Sequence, residues 1–215
     1  MIVDAVYDLL CPWSLVAKRH FDLAVEQVRP ELLPESLTVR WRPFMLYPHF
    51  DRGGHEFLRF FRERYGESLR VPMWDRIRAV AEPVGIRFAF ERIERGPASI
   101  DTHRIVRLAA REVPGREGAL YEAVARAFFE DARVVDHALL VDRAAAVGVD
   151  PDRARRYLES DEDEAAIFAE TDAWRAAGVA SMPHYILDDR AGGVAVVRQT
   201  SVDAFARALR SSPAP

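Results

Sequence analysis

Cys11 is the single cysteine of the chain, and it stands in Cys11-Pro12-Trp13-Ser14, where an apolar run gives way to a helical pattern. A lone cysteine is often a small buried hydrophobe. Its position supports a second reading. A sulfur at a helix N-terminus faces unpaired N–H groups and the positive end of the helix dipole. Both favour the thiolate, the nucleophilic form, which predicts a partly exposed thiol held below its free value of about 8.5. Other chemistry-bearing residues are sparser. His103 lies on a helical stretch, where an imidazole serves as a base or simply packs. His49 and His55 flank Asp51-Arg52-Gly53-Gly54 with no spacing that dictates a metal site. Phe57, Phe60 and Phe61 read first as core, or as a lid over a thiol. Asp161 to Glu164 read as a solvated helix start that suits the dipole.

These residues need elements to hold them. Residues 2–10 alternate as a strand too apolar for an exposed edge. Pro12 suits the first turn of the helix that follows, and that helix should stop before Pro30. Residues 37–46 read as a second strand ended by Pro43. Strand, helix and strand within this length make a βαβ unit with a parallel pair. The middle reads as helices: His55 to Tyr65 closed by Gly66, one opened by Pro72, then 98–112 and 118–130. Asp136 caps a further helix that Gly148 stops, Asp150-Pro151 starts the next, and 161–177 ends at Gly178. His184 to Leu187 and Val194 to Arg198 form a hairpin around Asp188 to Gly193. Ser201 caps a last helix, and Ser212 to Pro215 is a frayed tail.

Composition bounds the function. The chain has 215 residues, 49% hydrophobic and 30% charged, as an ordinary globular protein has. A formal charge of −4 gives no net basic field for nucleic acid. Lys18 is the only lysine among 30 basic residues, a bias of composition rather than a phosphate site. One cysteine allows no internal disulfide and excludes both a disulfide-built secreted fold and a Cys-rich zinc site. No basic leader opens the chain and no apolar run approaches a membrane span, so a cytoplasmic location is expected, with no metal and no tightly bound cofactor.

Several motifs together carry a family resemblance. Val6-Tyr7-Asp8-Leu9-Leu10-Cys11-Pro12-Trp13-Ser14 resembles the opening of DsbA-family thioredoxin-like proteins, in particular the FrnE-like branch. The resemblance continues in Val39-Arg40-Trp41-Arg42-Pro43-Phe44-Met45-Leu46-Tyr47-Pro48, in Asp101-Thr102-His103-Arg104 and in Gly178-Val179-Ala180-Ser181-Met182-Pro183. It implies an α/β chain with a thioredoxin-like fold and a helical insertion domain. Residues 1–50 and 179–215 would form the thioredoxin-like domain, and 51–178 the insertion with its connecting helix. It implies that Met182-Pro183 is cis and lies beside Cys11, with the Met182 backbone meeting a bound thiol. The same resemblance places Pro12, Trp13 and His103 around the substrate, and a thiol-ligand element at Thr200-Ser201, where Ser201 is also a simple N-cap.

The departure from the family pattern is Ser14. The usual pair is Cys-x-x-Cys, whose second thiol releases the product; Ser14 cannot do this. What the resemblance then implies is monothiol chemistry: Cys11 forms mixed disulfides that an external thiol such as glutathione or mycothiol resolves. Ser14 would donate a hydrogen bond to the sulfur. The resemblance also reaches 2-hydroxychromene-2-carboxylate isomerases and kappa-class glutathione transferases, in which a serine at the first active-site position activates bound glutathione. A thiol-dependent isomerase on a small aromatic substrate is therefore the alternative, and a non-catalytic binding protein is the third reading. Partners are a low-molecular-weight thiol and a small-molecule or protein thiol or disulfide, with neither nucleic acid nor membrane. A homodimer stays open.

Overall fold

The structure is a computed structural model that describes residues 1–29, 37–188, 194–197 and 201–211. Strand β1 (Ile2–Tyr7) lies inside a four-stranded sheet of order β2-β1-β5-β6, with β2 at Thr38–Pro43, β5 at His184–Asp188 and β6 at Val194–Val197. It pairs with β2 in parallel, Ile2 opposite Thr38 through Tyr7 opposite Pro43, and with β5 antiparallel. The parallel pair and the β5–β6 antiparallel pair are those the sequence spacing predicts. This inner strand is packed on both faces, with Val3 and Ala5 in one cluster and Val6 and Tyr7 in others, which is why all four are buried.

Helix α1 (Pro12–Val28) starts with Pro at its first turn, and helix α9 (Val202–Ser211) packs against it. Val3 and Ala5 of β1, Phe21 and Ala24 of α1, and Phe205 and Leu209 of α9 share one core. The Ser201 hydroxyl accepts the Ala204 N–H at 3.1 Å, the cap expected of it. Between β2 and β5 run helices α2 (Phe57–Tyr65), α3 (Glu67–Ala81), α4 (Ile100–Glu112), α5 (Glu117–Phe129), α6 (His137–Ala146), α7 (Pro151–Glu159) and α8 (Glu164–Ala176), with a short β3–β4 pair (His55–Glu56, Arg95–Gly96). Phe57, Trp74, Phe90, Phe128 and Phe129 fill their core, together with Leu15 and Val16 of α1. No helix among the described residues is long and apolar enough to cross a membrane.

Three boundaries differ from expectation. Strand β1 stops at Tyr7, because Asp8 turns its carboxylate back onto the chain and Leu9-Leu10 form a turn. Pro72 lies inside α3 instead of opening it. Gly66, at φ 73°, both ends α2 and starts α3, and the buried face of Trp74, Ile77 and Ala81 carries the helix past the bond that proline cannot make. Of the acidic run, Asp161 to Asp163 precede α8 and Glu164 alone lies in its first turn. Asp163 is left-handed at φ 67°, and its carboxylate accepts the Tyr157 hydroxyl at 2.6 Å and Arg111 at 2.6 Å.

Candidate active site

Cys11 is the N-cap of α1, with an extended backbone that turns the chain out of the sheet. The Ser14 N–H donates to the Cys11 carbonyl at 2.9 Å, which starts the helix. The Met182–Pro183 bond is cis, and the Cys11 thiol donates to the Met182 carbonyl across 3.6 Å. Residues far apart in sequence therefore meet at the sulfur, as the resemblance implied.

The ionisation state differs from expectation. Cys11 is only 7% exposed, packed with Val6, Phe44, Val179 and Met182. Burial is the largest influence and pushes its thiol from the ordinary 9.0 up to about 11. The Ser14 N–H and hydroxyl and the Trp13 N–H pull the other way, while the Asp8 carboxylate adds to the rise. The helix terminus acts as the sequence reading supposed, but it does not offset the lost water. The resting site is a protected thiol rather than a standing thiolate.

Behind the sulfur sits a polar cluster. Asp8 is fully buried; its carboxylate accepts the Leu10 N–H at 3.3 Å and the Leu46 N–H at 2.7 Å. Ser14 is 1% exposed, and its hydroxyl oxygen accepts the Asp8 N–H at 3.4 Å. The His103 Nε2 lies 3.4 Å from an Asp8 oxygen. His103 is held by α4 and anchored through Arg104, whose guanidinium is fully buried and donates to the Tyr157, Leu158, Ser160 and Glu162 carbonyls and to Asp101.

In front of the sulfur is an apolar cavity of about 110 Å³. Cys11, Pro12 and Trp13 form one side, and Phe57, Phe60 and Phe61 the other. Its polar groups are few: the Tyr47 and Tyr65 hydroxyls, 3.3 Å apart, and His55, whose imidazole is pushed down by burial and by Arg95. Gly96 makes room for that ring, since a Cβ there would lie 2.4 Å from His55 Cε1.

The structure thus gathers Cys11, Pro12, Trp13, Ser14, Met182 and Pro183, and places His103 behind the sulfur and outside the cavity lining. Ser201 caps α9, and Thr200 lies outside the described residues. Asp8, Tyr47, His55 and Tyr65 were not singled out from the sequence as site residues. The signal for Asp8 was present: a carboxylate directly after a strand buried on both faces needs a partner. Among the described residues, no group of three or more His, Cys, Asp or Glu is placed to hold a metal.

The profile of the DSBA-like thioredoxin domain matches residues 2–210. A probable DsbA oxidoreductase from Streptomyces coelicolor is 26% identical, with a TM-score of 0.82 over 100% of this chain and 92% of its own. The cytosolic disulfide reductase DsbM from Pseudomonas aeruginosa, solved with GSH, is 20% identical, with a TM-score of 0.66 over 98% of each chain. A 2-hydroxychromene-2-carboxylate isomerase is 16% identical, with a TM-score of 0.60 over 91% of this chain and 88% of its own. The last two share the fold alone. No curated protein sequence matches the chain.

Proposed function

Because the chain belongs to the DSBA-like thioredoxin domain family, we propose that it is a monothiol disulfide oxidoreductase working through Cys11 in the cytoplasm. The observation that carries this is the placement of its only cysteine: Cys11 is the N-cap residue of α1, its sulfur faces the carbonyl before a cis proline, and Ser14 lies one helical turn away. The Cys11 thiolate attacks one sulfur of a disulfide, forms a mixed disulfide and expels the other half as a thiolate. Ser14 brings no second thiol, so an external thiolate attacks the mixed disulfide and returns Cys11 to the reduced state. Glutathione or mycothiol suits that role. The raised thiol keeps Cys11 protonated until a substrate is seated, which protects a lone cysteine from adventitious oxidation.

Intact-mass spectrometry after incubation with oxidised glutathione tests the reading. An adduct on Cys11 that reduced glutathione removes is expected. No adduct with any small disulfide, in protein whose Cys11 alkylates after unfolding, ends it. A second reading rests on the aromatic cavity beside the sulfur: a thiol-dependent isomerase or transferase acting on a small aromatic substrate. Substrate turnover that persists in Cys11→Ser with added glutathione or mycothiol supports that alternative, because serine is the residue the related isomerases carry there.

A further inference from the structure

Strand β2 is an edge of the four-stranded sheet, and no described strand pairs with its outer side. The Thr38 N–H donates to the Met1 carbonyl at 3.0 Å, and the Phe44 N–H to the Tyr7 carbonyl at 3.0 Å. In a parallel ladder the bonding N–H recurs at every second residue, so Arg40 and Arg42 also turn theirs toward β1. Val39 and Trp41 therefore direct their N–H and C=O groups away from the sheet, and Pro43 has no N–H to direct. A polar cleft of about 510 Å³ follows this side. All six residues of β2 line it, whereas Tyr7 is the one residue of β1 that does. Arg107, Ala110 and Arg111 of α4 form a further wall.

The charge lining the cleft is uneven. Arg40 and Arg42 of β2 and Arg107 and Arg111 of α4 stand against two carboxylates, Glu117 of α5 and Glu170 of α8. Asp4 of β1 holds Arg40 at 2.5 Å and Arg42 at 2.8 Å, which draws both side chains over the sheet and leaves the strand's edge uncovered. Glu170 pairs with Arg107 and lies 3.8 Å from Arg42, while Asp163 and Glu162 hold Arg111. These pairs do not exhaust the donors. A guanidinium carries five N–H groups, and Arg42 and Arg107 each make one hydrogen bond.

We propose that β2 receives an extended acidic peptide segment of a partner protein as a fifth strand of the sheet. The partner's backbone bonds to the outward groups of Val39 and Trp41, as an added strand does at an open edge. Arg40 and Arg42 share one face of β2, so a partner strand with acids at every second position meets both. Its carboxylates take up the unused donors of Arg42 and Arg107 as charge-assisted hydrogen bonds. A second copy of β2 is a poorer occupant, because it would set arginine against arginine across the new pair. The docking needs no chemistry at Cys11, since the cleft shares no lining residue with the apolar cavity beside the sulfur.

The test adds a capped peptide of alternating valine and glutamate to the whole ¹⁵N-labelled protein. The amide signals of Val39 and Trp41 should shift and their exchange with solvent should slow. Exchange at Arg40 and Arg42, already paired with β1, should stay as it was. A peptide of alternating valine and lysine should bind about tenfold more weakly, and a fully N-methylated valine–glutamate peptide, which keeps the charge but cannot pair, should not bind. Val39→Pro removes an outward N–H and no bond to β1, and should weaken binding about fivefold. The wild-type amide signals decide the matter should that variant fail to fold. No shift at millimolar peptide, equal binding of the lysine peptide, binding that survives N-methylation or Val39→Pro undiminished, or shifts centred on β6 overturns the proposal. Protection of Val39 and Trp41 that rises with protein concentration in the absence of peptide overturns it too, by showing that a second copy covers the edge.

Discussion

At Cys11 and its neighbours, burial and the helix terminus act in opposite senses and burial is the larger. Removing the Asp8 charge should therefore lower the thiol from about 11, because that carboxylate is among the groups raising it. Asp8→Asn is expected to speed alkylation of Cys11 near neutral pH several-fold, measured as rate against pH. The same raised thiol links to stability. An acid whose folded value of about 11 exceeds its ordinary 9.0 binds more protons folded than unfolded between those pH values. Its contribution is complete below about pH 9 and is lost as pH rises toward 11. Chemical denaturation of wild type and Cys11→Ala at pH 8 and 10 should show the wild-type advantage shrinking by about 1 kcal/mol or more. A constant difference would mean the thiol is not raised. Ser14→Cys should introduce an internal disulfide, because positions three apart on a helix share a face. Loss of free thiol on oxidation, read by mass, checks it.

Among the elements, α4 positions the site, and it is fixed from behind by Arg104. That guanidinium collects the open carbonyls at the end of α7 and the loop before α8, groups a helix C-terminus leaves without partners. Arg104→Met keeps the bulk but strands those acceptors together with Asp101, and should cost about 3 kcal/mol or more. Arg59→Ala, which removes an exposed pair with Glu63, should leave stability essentially unchanged. Urea denaturation of the two variants checks the contrast. Local signals of this kind were legible where the partner lies within a few residues. The caps by Asp136, Asp150 and Ser201 could be read directly, because each accepts an N–H three residues on. The rest of the Arg104 cluster beyond Asp101 could not, since its carbonyl acceptors lie more than fifty residues away and have no sequence signature.

For the molecule as a whole, the βαβ opening, the closing hairpin and the cis proline beside Cys11 were legible, because alternation, turn residues and a spaced set of motifs all agree. The depth of Cys11 and the pairing of Asp8 with His103 were not, since both depend on how the sheet meets the helices. Helix α1 spans that junction. Leu15 and Val16 enter the aromatic core of the helices, while Phe21 and Ala24 enter the core shared by the sheet and α9. Lys18 stands between these two stretches and is 7% exposed. Its ammonium is 2.5 Å from Asp22 on α1 and 2.5 Å from Glu122 on α5, so the one lysine ties the sheet layer to the helices. Its carboxylate partners differ in what remains without it. Glu122 keeps Arg126 at 2.8 Å, whereas burial already raises Asp22 against the pull of Lys18. Lys18→Met, which preserves the buried stem, should destabilise the protein by about 2–3 kcal/mol at neutral pH, less than a fully buried pair because both acids are partly solvated. Losing the lysine also raises Asp22 further above its unfolded value, so the variant's deficit should shrink as falling pH protonates that carboxyl. Denaturation of wild type and Lys18→Met at pH 7 and 4.5 measures both; a deficit that stays constant or grows in acid would show that Lys18 acts through its stem rather than its charge.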